Sequence, residues 1–181
     1  MTRERAYNLT KPRFSNKNLF KHVLAVEAVM RELAEHFDQD VEKWGLVGLL
    51  HDFDYEETKE SPDQHTLVTE ELLQDYDLSE DIIHAIKAHN LLAPHDSLMD
   101  KAVYAADPVT GLIVAAALMH PDKKLAPMTT DFILRRFKEK QFARGANREQ
   151  IMMCEKLDLS LTDFVSICLR GMQKISSELG L

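Results

Sequence analysis

Cysteine is scarce in this 181-residue chain, which contains only Cys154 and Cys168 and no CxxC pair. Two isolated cysteines exclude a disulfide scaffold and a zinc site built from thiolates, and they are typical of a reducing compartment. The charged start of the chain, Met1–Arg5, leads into no apolar segment of the kind that forms a secretory signal. The sequence therefore predicts a cytoplasmic protein.

Long apolar runs are missing as well. A membrane-spanning helix needs about 18 or more apolar residues, whereas the longest apolar segment, 109–119, is too short and contains Gly111. We therefore expect no membrane partner.

Several familiar motifs are absent. The chain has no GxxxxGK[ST] phosphate loop and no GxGxxG turn, which argues against the common NTP-binding and dinucleotide-binding folds. It also has neither HExxH nor GxSxG, so a zincin protease and a hydrolase with a nucleophile elbow are not supported.

Positive charge is in short supply, since the formal net charge is −8 and the sequence pI is about 5.5. Binding to a nucleic-acid duplex is therefore not expected, because it depends on many cationic contacts with phosphates. The exception is the segment 121–150, where eight Lys/Arg face only four acids. A solvated helix face is the favoured interpretation of this basic stretch, and a site for a small anion is the alternative.

The periodicity of apolar residues is helical almost throughout. It predicts an all-α fold of eight or nine helices in one domain, 1–181, with a core at about 20–120 and the C-terminal helices 121–181 packed on it. The predicted helices are 19–37, 41–51, 62–75, 79–89, 97–107, 109–120, 130–140, 147–157 and 160–180. Pro108 either ends the helix before it or begins the one after it.

The histidines and aspartates of the chain are informative because of the order in which they occur. His51-Asp52 follows an apolar helix end, and neutral imidazole and carboxylate are good ligands for divalent metal ions. Such a dipeptide alone is more often a helix C-terminal His with a capping Asp. It is accompanied, however, by one further His or Asp near an end of each of several consecutive helices: His22, His65, His89 and Asp107.

This order resembles the signature of the HD-domain metal-dependent phosphohydrolases. His22, His51-Asp52 and Asp107 match its His…His-Asp…Asp pattern over about residues 20–120. With His65 and His89 the pattern is similar to the dinuclear branch, which includes small bacterial hydrolases of dinucleoside polyphosphates. The resemblance implies one metal held by His22, His51, Asp52 and Asp107, and a second one held by His65 and His89, with Asp52 bridging the two.

One or two divalent ions per chain are therefore expected, and the number of histidines favours Fe, Mn, Ni or Zn over Mg alone. Asp52, Asp54 and Glu56 are the candidate catalytic carboxylates. Asp54 and Glu56 are interpreted either as an acid for the leaving group or a partner of a ligating histidine, or as a turn cap and a solvated side chain. His84 is interpreted as a surface residue, because only one of His84 and His89 can face the site.

Three functions remain open at this point. The leading hypothesis is a phosphohydrolase that cleaves a small phosphorylated, nucleotide-like substrate with metal-activated water. The second is a di-iron oxygenase with the same ligand pattern, and the third is a regulatory module that binds a metal or a nucleotide without turnover.

Overall fold

The computed structural model describes all residues, 1–181, and every regular element in it is a helix, so the predicted all-α class is confirmed. The α-helical segments are α1 (Arg3–Thr10), α2 (Lys17–His36), α3 (Val41–Leu50), α4 (Tyr55–Thr58), α5 (Leu67–Leu73), α6 (Glu80–His89), α7 (Leu98–Met119), α8 (Thr130–Lys138), α9 (Arg148–Ile151), α10 (Leu161–Lys174) and α11 (Ser176–Leu179). Short 3-10 helices lie at Lys11–Arg13, Pro62–Gln64 and Met152–Leu157. The segment α1 was not among the predicted helices.

The central helix is α2, which packs against α3, α7 and α10. It begins as expected at Asn16, whose side chain accepts a hydrogen bond from the backbone N–H of Asn18. Its buried stripe includes Val23, Met30 and Leu33, none of which is exposed to solvent. The stripe anchors α2 in the core and so holds His22, near its start, at the edge of the core.

Helix α3 lies unusually close to α2. It starts at the cap residue Asp40, whose side chain accepts from the N–H of Lys43. Close packing occurs at Gly48, where a Cβ atom would lie 2.7 Å from the Cα and 2.8 Å from the backbone nitrogen of Glu27. Because no side chain separates the backbones, the C-terminal end of α3 comes up against α2.

The predicted break at Pro108 does not occur, so both alternatives for this residue are wrong. The capping box at Ser97 and Asp100 is confirmed, but one helix of 22 residues runs from Leu98 to Met119 with Pro108 buried inside it. Packing against α2, α6, α8 and α10 offsets the hydrogen bond that proline cannot make. Asp107 therefore lies in mid-helix, not at a helix end.

By length and composition α7 is the one helix that could cross a membrane, and 61% of its apolar stretch is buried within this fold.

The predicted helix 62–75 is also wrong at its start. Pro62–Gln64 forms only a short 3-10 helix, and α5 begins at Leu67. Between them Thr66 has a φ of 72°, a left-handed conformation that is strained for a β-branched residue. The turn is held by Asp54, whose carboxylate accepts from the N–H groups of Thr66 and Thr69 at 2.8 Å. A cap supplied by a residue 12 and 15 positions earlier in the chain replaces the predicted local cap at Ser61.

The C-terminal helices α8 to α11 pack on α2 and α7 and contribute to the same continuous set of buried apolar side chains, which runs from Ala6 to Leu179. The predicted helix 147–157 is α-helical only to Ile151 and continues as a 3-10 helix. The predicted helix 160–180 is interrupted at Ile175. Both cysteines are free and buried.

The close approach at Gly48 predicts the stability of two matched variants. Gly48→Ala should lower the free energy of unfolding by about 1–3 kcal/mol, because the added Cβ meets backbone, which cannot move aside as a side chain can. Gly111→Ala, in α7, should raise it by about 0.5–1 kcal/mol, because nothing lies within 4 Å of its Cβ position. Urea denaturation measures both, and a Gly48→Ala protein as stable as the natural one would contradict the close packing.

Candidate metal centre

All six residues predicted as ligands converge on one region of the structure, although they come from five different segments. They are His22 in α2, His51 and Asp52 directly after α3, His65 in the turn before α5, His89 at the end of α6, and Asp107 in α7. Five of them line an open cleft of about 440 Å³, the exception being His51, which is completely buried beneath it.

The first group consists of His22, His51 and Asp107, whose ligand atoms all lie within 4.8 Å of one another. The Nε2 atom of His22 is 3.1 Å from Asp107 Oδ1 and 3.3 Å from the Nε2 atom of His51. Asp52 faces this group with Oδ2, at 3.6 Å from His22 Nε2 and 3.5 Å from His51 Nε2.

The second group lies on the other side of Asp52. The Nε2 atoms of His65 and His89 are 3.3 Å apart. Asp52 Oδ1 is 3.3 Å from the first of these nitrogens and 3.6 Å from the second. Each oxygen of one carboxylate therefore faces a different pair of imidazoles.

The orientation of two imidazoles follows from where their helices end. The last carbonyl groups of an α-helix have no partner within the helix. His51 Nδ1 donates to the carbonyl of Gly48 at 2.8 Å, and His89 Nδ1 donates to the carbonyl of Ile86 at 2.5 Å. Because Nδ1 carries the hydrogen, the neutral rings present the Nε2 lone pair to the cleft.

The other two imidazoles are oriented by side chains. His65 Nδ1 donates to Asp54 Oδ1 at 2.7 Å. The hydroxyl of Thr110 donates to the carbonyl of Asp107 at 2.8 Å, so its oxygen is free to accept from His22 Nδ1 at 3.1 Å. All four histidines thus have Nδ1 engaged and Nε2 directed at the cluster.

Because the imidazoles and carboxylates of the cluster lie so close together, several of them have shifted pKa values in the protein without an ion. Burial lowers the pKa of His51 to about 4. Burial also acts to lower the pKa of His65, but hydrogen bonds to Asp52 and Asp54 outweigh it and raise that pKa to about 9. Burial would raise the pKa of Asp52, yet the surrounding histidines, His51 foremost, hold it well below its usual value. A proton on His65 therefore supplies positive charge beside two ionised carboxylates, and a metal ion would compete with that proton.

The donor set fits a divalent transition metal. Ligand atoms that share one ion at about 2.0–2.2 Å lie roughly 2.8–3.6 Å apart, depending on the coordination geometry. The separations of 3.1–3.6 Å found here lie in that range. Four imidazoles with two carboxylates suit Fe, Mn, Ni or Zn better than Mg, which prefers oxygen ligands.

The two remaining carboxylates behave differently from each other. Asp54 is buried and accepts from His65 and from two backbone N–H groups, so it orients a histidine and does not face the cleft. Glu56 is not brought to the cluster, because its carboxylate accepts from the backbone N–H groups of Ser15 and Asn16 and from the Ser15 hydroxyl.

Sequence reasoning missed several residues of the site. Thr110 was not singled out, although its position three residues after Asp107 on a helix was a usable signal. Asn90 donates to the carbonyl of His65 at 3.0 Å and directly follows His89. Tyr55 and Gln150 also line the cleft, and no pattern pointed to them. His84 lies outside the cleft, as expected, half-buried and 3.3 Å from Asp100.

The basic stretch does not supply the cleft with cations. None of its eight Lys/Arg residues lines the cleft, and only Gln150 of that segment does so. Arg136 pairs with Glu139, and the guanidinium of Arg148 donates to four backbone carbonyls.

Comparison with known proteins assigns the family. The model of the HD domain matches residues 19–117, more than half of the chain, and contains all six residues of the cluster. The chain belongs to the HD domain family, as its resemblance to the HD-domain signature predicted.

The curated relatives it resembles are much longer proteins. Ribonuclease Y of Nitratidesulfovibrio vulgaris is 32% identical over 96 residues, which cover 53% of this chain and 18% of that protein. Ribonuclease Y of Oleidesulfovibrio alaskensis and that of Geobacter sulfurreducens are each 30% identical over 96 residues, with the same coverage. The chain thus spans less than a fifth of the length of these relatives. No solved structure gives a significant match.

Because Asp54 holds a histidine of the cluster and Glu56 does not, replacing each by its amide should affect metal affinity differently. In Asp54→Asn, the amide cannot accept all three N–H groups, because its own NH2 must face one of them. Affinity for a metal bound through His65 should fall by about 10–100-fold, the usual cost of losing such a partner. Titration with Mn²⁺, followed by metal analysis, measures this. Glu56→Gln, the control, should leave the affinity unchanged, and an equal loss in both variants would contradict the assignment.

Proposed function

We propose that this protein is a metal-dependent phosphohydrolase that cleaves a small, nucleotide-like phosphate ester. The observation that carries the proposal is the position of Asp52 between two pairs of imidazoles whose Nε2 atoms are directed inward. A carboxylate in this position could be shared by a pair of divalent ions, one beside each pair of imidazoles. Membership of the HD domain family supports the same reaction class.

The proposed ligands are His22, His51, Asp52 and Asp107 for one ion and His65 and His89, with Asp52 shared, for the other. Paired divalent ions activate water and stabilise the attacking and leaving oxygens of a phosphoryl transfer. The protein's own contribution is to hold the imidazoles in one tautomer, through Gly48, Ile86, Asp54 and Thr110. In this proposal Asp54 acts as a positioning residue.

The walls of the cleft favour a small substrate. No Lys or Arg lines it, and its polar side chains other than the proposed ligands are Tyr55, Asn90 and Gln150. A polyanion binds through many cationic contacts with phosphates, and this cleft offers none beyond bound ions. We therefore propose a small phosphate ester and no nucleic-acid duplex, although the relatives are named ribonucleases.

We also propose a cytoplasmic location without a membrane partner, which accords with the two free cysteines.

The two-ion arrangement predicts the metal content of single variants. The natural protein saturated with Mn²⁺ or Fe²⁺ should hold near two ions per chain, and His65→Ala or His89→Ala should hold near one. His84→Ala, in a residue outside the cleft, is the control and should hold two. Elemental analysis after gel filtration measures the content. One ion in the natural protein would contradict the second site.

Hydrolysis itself is tested by a screen of phosphate esters with Fe²⁺, Mn²⁺, Ni²⁺, Zn²⁺ and Mg²⁺. Hydrolysis of mononucleotides, measured as released phosphate, and of dinucleoside polyphosphates, measured as the nucleotides formed, is expected, and Asp52→Ala should abolish both while the helical circular dichroism spectrum is retained. A short single-stranded RNA is included because of the relatives' name, and cleavage of RNA alone would contradict the proposed substrate class. An EPR signal from a mixed-valent iron pair, without hydrolysis of any ester, would favour the oxygenase alternative.

A further inference from the structure

Gln150 reaches the metal cleft from outside the part of the chain that the HD domain model matches. Nine residues line the cleft, and all of them except Gln150 lie within the matched residues 19–117. Gln150 belongs to α9, beyond the end of that match. It is therefore the one cleft residue that the C-terminal segment of this chain adds to the family domain.

The backbone around Gln150 is held in place on both sides. The side chain of Asn147 caps α9 by accepting from two backbone N–H groups, one of which is that of Gln150 at 3.3 Å. The guanidinium of Arg148 donates to four backbone carbonyls of residues 137–146. Ile151, the next residue, is completely buried, and α9 packs against α7, which carries one of the proposed ligands. The fold therefore fixes the position of Gln150 relative to the metal centre.

The side chain of Gln150 has hydrogen-bonding capacity that the protein does not use. Its backbone N–H is engaged, but its amide group has no hydrogen-bond partner within the chain. The residue is half-buried and lines the cleft. A primary amide donates two hydrogens and accepts at its oxygen, and withdrawing such a group from water without a partner is costly. A molecule in the cleft that hydrogen-bonds to this amide would offset that cost.

The other polar groups of the cleft wall, apart from the proposed ligands, are also uncharged. Asn90 uses its Nδ2 to donate to the carbonyl of His65, so its side-chain oxygen remains an available acceptor, and Tyr55 adds a hydroxyl group. A hydroxyl on a bound molecule both donates and accepts, so it suits these neutral partners. A second anionic group on that molecule would lose its water without meeting a cation of the protein.

We propose that Gln150 is a specificity-determining residue, whose amide hydrogen-bonds to a hydroxyl group on the alcohol portion of the phosphate ester. The inference rests on the proposed function and adds to it the contact by which one ester is distinguished from another. A site that hydrogen-bonds to a substrate hydroxyl selects against an analogue that lacks this group. The metal ligands then bind the phosphate, and the C-terminal segment recognises the alcohol.

The test uses two phosphonates, which bind without being hydrolysed, and isothermal titration of the Mn²⁺-saturated protein. Dihydroxybutylphosphonate is an unreactive analogue of glycerol phosphate, and butylphosphonate has the same carbon chain and charge but no hydroxyl. Gln150→Leu has nearly the same size and no hydrogen-bonding group. It should weaken binding of the dihydroxy compound relative to butylphosphonate by about two- to tenfold, the usual contribution of one hydrogen bond. Glu149→Leu is the matched control and should leave this ratio unchanged, because Glu149 is exposed and does not line the cleft.

An unchanged ratio in Gln150→Leu, or an equal change in Glu149→Leu, would overturn the inference. Circular dichroism and thermal unfolding establish that both leucine variants are folded, and inorganic phosphate, which has no alcohol portion, should bind equally to all three proteins. Failure of the proposed function has a different signature, because absence of ester hydrolysis with every ion leaves the ratio of the two phosphonates measurable. A natural protein that binds neither phosphonate would contradict both.

Discussion

The Nε2 atoms of His22 and His51, and those of His65 and His89, face one another across about 3.3 Å, so a proton or another positive charge is needed between the two nitrogens of each pair. This constraint governs the centre of the molecule. A neutral imidazole here cannot move its hydrogen to Nε2, because Nδ1 already uses that hydrogen as the donor in another hydrogen bond. Keeping several polar groups buried in this way is costly, and a bound cation relieves the cost.

The helices are arranged to meet this constraint with backbone groups that would otherwise lack partners. Two of the four orienting acceptors are carbonyls at the C-terminal ends of α3 and α6. The close packing at Gly48 brings the first of these ends against α2, so that His51 meets His22. The same helix packing that buries the apolar core therefore also determines which nitrogens face the cleft.

Part of the fold and of the cluster was predictable from the sequence, and part was not. The six cluster residues were predictable because each is a His or Asp in a family order that survives any shift of a helix boundary. Local rules failed where a distant group decided the outcome. The cap signal at Ser61 lost to the carboxylate of Asp54, which no rule based on neighbouring residues can find. Pro108 signalled a break, but helices packed around α7 hold it continuous. Asp54, left open between a leaving-group acid, a partner of a histidine and a cap of its own turn, partners His65; its side chain does not cap the turn at α4 and instead accepts from the N–H groups at the start of α5.

That double role of Asp54 links two parts of the molecule that are usually considered separately. One oxygen receives the hydrogen of His65, and the other receives the N–H groups that begin α5. The start of a helix and one side of the metal centre are therefore a single cooperative unit, held by one carboxylate across a strained turn at Thr66. If that unit opens, the histidine leaves the cluster and the helix loses its first turn together. Local unfolding of this segment would therefore remove His65 from the cluster while the residues contributed by α2, α3 and α7 stay in place.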